Sequence, residues 1–148
     1  MEPTFRLANS SDADTLIEMM RDFNAHERIA FDEPSVRAAL AQLFADDSYG
    51  LVCLMLLSEE VAGYVVITFG FSIEFRGRDA FIDELFVKEE FRGRGAGAAA
   101  LRFAEGLCRQ RGVRALHLEV ERGNTRAQSV YRRAGYVDHD RYLLTRWL

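Results

Sequence analysis

The chain has 148 residues, of which 49% are hydrophobic and 28% charged, with a formal net charge of -4. Such a length predicts one domain, residues 1–148, burying roughly two thirds of its unfolded surface, and the acidic balance argues against a nucleic-acid-binding surface. No apolar run approaches the roughly 20 residues that span a bilayer, and the start, Met1-Glu2-Pro3-Thr4-Phe5-Arg6, is no signal peptide. Cys53 and Cys108 lie in apolar segments without metal-ligand spacing, so they read as small buried side chains in a reducing cytoplasm, with no metal.

In chain order, residues 4–7 alternate as a short strand, and Ser10-Ser11-Asp12 offers caps for a helix striped by Leu16, Ile17, Met20 and Phe23. A loop holding His26, Glu27, Phe31 and Glu33-Pro34 leads to Ser35, a second cap, and a helix striped by Val36, Ala39, Leu40, Leu43 and Phe44. Residues 51–57 and 61–69 predict a hairpin turning at Ser58-Glu59-Glu60, residues 70–78 a connection, and residues 80–87 the next strand. A helix carrying Ala100, Leu101, Ala104, Leu107 and Cys108 stops at Gly112. A strand over 115–120 follows, then a short helix capped by Asn124 or Thr125 and ended by Gly135. Tyr136-Val137 and residues 141–147 predict two last strands. The order β-α-α-β-β-β-α-β-α-β-β implies an α/β fold with a mixed sheet flanked by helices.

The most informative stretch is the strand containing Asp83-Glu84-Leu85-Phe86-Val87, a five-residue connection, and the corner Arg92-Gly93-Arg94-Gly95-Ala96-Gly97 opening a long helix. The first turn of a helix presents unshared N–H groups with partial positive charge, and glycines keep the approach to them open. Arg92 and Arg94 add charge suited to a diphosphate. The corner follows the fourth predicted strand rather than the first of a Rossmann unit, and the Gly-Lys-Ser/Thr of a Walker loop is absent.

With Arg92-x-x-Gly95-x-Gly97 and this element order, the chain resembles the GNAT superfamily of N-acetyltransferases over essentially its whole length. The resemblance implies acetyl-CoA as cosubstrate, its pyrophosphate held by the backbone of residues 93–98, Gly93 to Ala98. It also implies that Leu85, Phe86 and Val87 pair with the pantetheine arm. Locally the chain is similar to the diamine (spermidine/spermine) acetyltransferases, whose Glu-Asp before Phe-Phe-Val corresponds to Asp83-Glu84 before Leu85-Phe86-Val87.

A primary amine with pKa near 10.4 must lose a proton before attacking a thioester, which costs about 4–5 kcal/mol at neutral pH. Asp83 and Glu84 are the candidate bases, and a regular strand would point them to opposite faces. The resemblance implies that the first, Asp83, serves the amine. The departing sulfur needs a proton, which a tyrosine can supply to a thiolate for about 2 kcal/mol. The pattern Asn124…Ala127…Val130-Tyr131-x-x-x-Gly135-Tyr136 matches the superfamily, implying Tyr131 as general acid and Asn124 as a cofactor contact. Leu85 is implied as the backbone N–H that polarises the carbonyl. His117 and His139 have no sequence partner that demands catalysis.

His26-Glu27 aligns with an aromatic-Glu pair at the amine-binding edge of the diamine enzymes. With Asp32 and Glu33, Glu27 could form an anionic mouth for a cation. The acidic insertion that those enzymes carry before the last strand is reduced here to Asp138-His139-Asp140. Three readings stay open: a small-amine N-acetyltransferase, a protein lysine or N-terminal acetyltransferase, and a non-catalytic acyl-CoA-binding module. A homodimer is expected from the resemblance.

Overall fold

A computed structural model describes residues 1–148. Strand β1 (Thr4–Leu7) is followed by helices α1 (Ala13–His26) and α2 (Glu33–Ala45), then strands β2 (Gly50–Leu57), β3 (Glu60–Ser72) and β4 (Gly77–Val87). Helix α3 (Ala96–Gln110), strand β5 (Ala115–Leu118) and helix α4 (Thr125–Arg133) complete it. The five strands lie in sequence order, antiparallel except for the β4–β5 pair, which is parallel because α3 crosses between them. This is the mixed sheet flanked by helices that the sequence implies.

Alternation along β2 and β3 divides the core. Val52, Leu54, Tyr64 and Val66 meet Leu16, Ile17, Met19, Met20 and Leu40 of α1 and α2. Cys53, Val65, Ile67, Ala80 and Ile82 meet Leu101, Ala104 and Cys108 of α3. Both cysteines are buried and free, and burial pushes the Cys53 thiol up to about 11. No helix is long and apolar enough to cross a membrane.

Boundaries depart from expectation where turn and cap chemistry is subtle. Asp12, one of the three expected caps, holds the N-cap position of α1 without a side-chain bond, and Asn9 caps the 3-10 turn before it, accepting from Ser11 N at 2.9 Å. Asp32, not Ser35, precedes α2, because Pro34 fits the first helical turn, where no N–H is needed. The β2–β3 hairpin turns on Ser58 and Glu59 alone, both at positive φ (50° and 67°), so Glu60 already belongs to β3. The connection predicted over 70–78 shrinks to residues 73–76, as β3 and β4 extend their ladder outward.

The C-terminal region corrects the sequence reading. β5 ends at Leu118 rather than 120, and neither Tyr136-Val137 nor residues 141–147 form strands. Tyr142, Leu143, Leu144 and Trp147 are exposed, Trp147 to 94%. No register pair joins residues 136–148 to the five-stranded sheet, and their alternating apolar pattern stays without the cover that a strand needs.

Candidate active site

Two departures from regular sheet geometry build the site, and both fall in β4. The first is a bulge. Ile82 pairs with Ile67 and Glu84 with Val66, so Asp83 is an extra residue with no partner in β3. Ile82 is buried on the α3 face and Phe86 on the α1–α2 face. Counting from each side, Asp83 and Glu84 therefore both project on the α1–α2 face. The expectation of opposite faces fails because the inserted residue breaks the period of two.

The second departure is a split. β5 pairs with β4 only from Asp79↔Ala115 to Ile82↔Leu118, and Asp83 to Val87 keep β3 as their sole neighbour. Their edge towards β5 is an open row of backbone groups. Leu85, Phe86 and Val87 lie on that edge, with the Phe86 side chain buried against Tyr64 and Val66. An extended ligand with amides of its own can use such an edge.

Burial raises the pKa of both carboxylates. Asp83 is open to solvent as a whole residue, yet partial desolvation still lifts its carboxyl above the usual range. Glu84 is likewise raised by desolvation. Its hydrogen bond from Tyr64 acts in the opposite sense and the Asp83 charge in the same one. The Tyr64 hydroxyl donates to Glu84 Oε1 at 2.6 Å. Sequence reasoning missed this tyrosine, whose only trace is a phenol in an otherwise apolar strand. Asp83 has no comparable partner and is the freer of the two to meet another molecule.

The glycine corner follows the end of β4 through a 3-10 turn, Glu89–Phe91. Gly93 and Gly95 adopt φ of 75° and 78°, the left-handed region that disfavours side chains, and Gly95 is the N-cap of α3. A Cβ on Gly93, Gly95 or Gly97 would meet nothing within 4 Å, so the corner opens outward. No side chain caps the helix, leaving the first N–H groups from Ala96 through Ala98 to an outside acceptor. Arg92 Nε donates to Val87 O at 2.8 Å, tying the corner to β4, and Arg94 lies 5.9 Å from the Phe91 ring centre. These residues suit the diphosphate of a nucleotide cofactor.

On the far side of the split, α4 packs Val130 and Tyr131 against the α3 side of the core. Asn124 Oδ1 accepts from Ala127 N at 3.1 Å, which caps α4 and leaves the Asn124 amide nitrogen as a donor. Burial raises the Tyr131 pKa, and the charge of Glu27 raises it further. Glu27, just beyond α1, therefore lies near enough to the phenol of α4 for its charge to be felt there. His26 ends α1 and faces elsewhere, into a cavity of about 510 Å³ shared with Glu18, Asp22, Glu89 and Arg92 beside the corner. His117 has a partner that the sequence hides, with Nε2 lying 3.2 Å from Asp79 Oδ2.

The model of the acetyltransferase (GNAT) family matches residues 15–136. An uncharacterised N-acetyltransferase from Bacillus subtilis is 30% identical over 137 residues, covering 90% of this chain and 89% of its own. A thialysine N-epsilon-acetyltransferase from Bos taurus is 25% identical over 142 residues, covering 90% and 83%. Among solved structures, an integron cassette protein from a salt-marsh metagenome superposes with a TM-score of 0.85 at 34% identity, covering 97% of this chain and 90% of its own.

Proposed function

The chain belongs to the acetyltransferase (GNAT) family and is an acetyl-CoA-dependent N-acetyltransferase, and from that premise we propose that its acceptor is the primary amine of a small, cationic metabolite. The observation that carries the proposal is the coincidence of bulge and split: two carboxylates of raised pKa share one face where β4 parts from β5. A thialysine acetyltransferase among the relatives is compatible with such an acceptor.

In this reading the acetyl-CoA diphosphate rests on the backbone of Gly93 to Ala98, with Arg92 and Arg94 beside it and the Asn124 amide as a further donor. The pantetheine amides pair with the open edge of Leu85 to Val87. Asp83, directly or through water, takes the ammonium proton of the acceptor, and the freed lone pair attacks the thioester carbonyl. The carbonyl oxygen becomes an oxyanion next to the Leu85 N–H. Collapse breaks the C–S bond, the thiolate takes the Tyr131 proton as it leaves, and the second proton of the acylated nitrogen passes to the Tyr131 oxygen, directly or through water, to leave a neutral amide. Because Tyr131 is raised above the ordinary phenol value, the transfer to the thiolate costs more than the roughly 2 kcal/mol of an unperturbed pair. Glu84, held by Tyr64, adds negative charge that favours a cation, and Glu27 adds more at the rim. His26 borders the approach to the corner.

A homodimer belongs to the same reading. The single chain exposes 10042 Å², against about 7,700 Å² for an ordinary monomer of this mass. The exposed apolar stretch 142–148 accounts for part of the excess and suits a contact with a second copy.

The test is thiol release from acetyl-CoA with a panel of small amines, amino acids and lysine peptides. Release with small cationic amines is the expected result. Release with peptides alone would assign the chain to protein acetylation, and no acceptor-dependent release with tight acetyl-CoA binding would make it a binding module.

A further inference from the structure

The helix that carries Tyr131 stops in a way that ties its phenol to a neighbouring ring. Gly135 N donates to Arg132 O at 3.0 Å and Tyr136 N to Tyr131 O at 3.1 Å, with Gly135 at a φ of 101°. In such a helix stop a left-handed glycine turns the chain, and the residue after it packs back on a residue of the last helical turn. Those two residues are Tyr136 and Tyr131, whose rings meet edge to face with centres 6.3 Å apart. The seating of Tyr136 therefore helps to set the direction of the Tyr131 side chain.

Tyr136 is seated against the cluster that contains Leu101, Ala104 and Cys108 of α3. Its hydroxyl oxygen is sealed from solvent and has no hydrogen-bond partner in the protein, the one buried side-chain polar atom of which this is true. A buried hydroxyl left open in this way is costly. Glu105 of α3 lies between Ala104 and Cys108 in the chain and stands close to it. Burial raises the Tyr136 pKa, and the charge of Glu105 and its pull as an acceptor raise it further. Glu105 makes no ion pair, since Arg102, one turn before it, pairs with Glu2 at 3.5 Å instead. Donor and acceptor thus face each other, both free, short of hydrogen-bond geometry.

What the two elements carry gives this open bond its meaning. Helix α3 starts at the glycine corner and α4 starts at Asn124, and in the function proposed above acetyl-CoA touches both. The strand leading to α4 is held to the sheet by only four register pairs, so a small settling of α4 onto α3 is open to it. We propose that Tyr136 is a positioning residue for Tyr131 and that its hydrogen bond to Glu105 forms when acetyl-CoA is bound: α4 settles onto α3, the Tyr136 hydroxyl donates to the Glu105 carboxylate, and the Tyr131 phenol is held at the sulfur. A bond present only in the bound state adds to acetyl-CoA affinity as well as to placement. The inference rests on Tyr131 as the proton donor in the reading above.

Tyr136→Phe keeps the ring and removes the hydroxyl. Calorimetry should show acetyl-CoA binding weakened by roughly tenfold, the worth of one hydrogen bond to a charged group. The free variant should melt no lower than the wild type, because the hydroxyl it loses was unpaired. Glu105→Leu should weaken binding by a similar factor, and the double variant should lose no more than either single one. With the fastest acceptor of the amine panel, kcat should fall by about tenfold in Tyr136→Phe, and by nothing further when that substitution is added to Tyr131→Phe, where no phenol is left to place. Unchanged acetyl-CoA affinity, a lower melting temperature of the free variant, or additive losses with Glu105→Leu would each overturn the bond. A further loss of kcat on top of Tyr131→Phe would overturn the positioning role. Turnover by Tyr131→Phe equal to that of the wild type would instead remove Tyr131 as the acid and the positioning role with it, while the calorimetry still decides the bond.

Discussion

Tyr64, Asp83 and Glu84 show how one hydrogen bond assigns unequal tasks to neighbouring carboxylates. Glu84 is engaged by the Tyr64 hydroxyl, whereas Asp83, whose pKa is raised by desolvation, has no such partner. Asp83→Asn should lower kcat by about 100-fold and remove the acid limb of the kcat/KM profile, a limb lying above the ordinary carboxylate range of about 4. Glu84→Gln should keep the limb, and a pH profile of both variants decides the assignment. Glu84 also carries a stability consequence. Its raised folded-state pKa means that the folded protein holds the proton more tightly than the unfolded chain, so stability is present at low pH and lost as pH rises through the raised value. Glu84→Gln should therefore melt at a higher temperature than wild type at pH 7, and the gain should vanish in acid, as thermal scans across pH would show. Tyr131→Phe, which removes the only phenol on α4, should cost about 100-fold in kcat and leave acetyl-CoA affinity by calorimetry unchanged. Of these residues, Asp83, Glu84 and Tyr131 could be picked from the sequence because charge in an apolar strand and a tyrosine in a short patterned helix are local signals. Tyr64 and the Asp79–His117 pair could not. Their partners lie 20 and 38 positions away, a separation that only sheet register closes.

At the scale of elements, β4 carries an irregularity on each side, the bulge against β3 and the parting from β5. The sequence reveals the strand and the glycine corner, whose residues are contiguous, but not the bulge, which is a property of β3 and β4 together. For the same reason, opposite faces for Asp83 and Glu84 was a sound expectation for an isolated strand and a wrong one for this sheet. Gly63 of β3 supports the arrangement from behind. A Cβ there would fall 2.1 Å from Phe86 O, so no side chain fits without moving β4. Gly63→Ala should cost about 2 kcal/mol or more in urea unfolding. The same shift should weaken acetyl-CoA binding, because Leu85 to Val87 are displaced with it.

For the whole molecule, the element order up to α4 was legible because each helix and strand has its own apolar period, whereas the last two expected strands rested on alternation alone and no register pair joins them to the sheet. The apolar side chains of residues 142–148 are left uncovered. If a second copy covers them, sedimentation should give a dimer mass at micromolar concentration. Trp147→Glu, at a side chain exposed to 94%, should then yield a folded monomer with unchanged circular dichroism. A wild-type protein that sediments as a monomer would remove the dimer from the proposed function.

The parting of β4 from β5 has a thermal meaning as well. β5 is joined to β4 by four register pairs, as β1 is to β2, whereas β3 is joined to β4 by ten, so the segment carrying β5, α4 and Tyr131 hangs on one of the two shortest seams of the sheet. Such a segment opens at a lower free energy than the body of the protein, which places Tyr131, the proposed acid, in a part that loosens early. Activity should fall on warming several degrees before the far-ultraviolet signal does. Saturating acetyl-CoA, by bridging the seam, should bring the two transitions together.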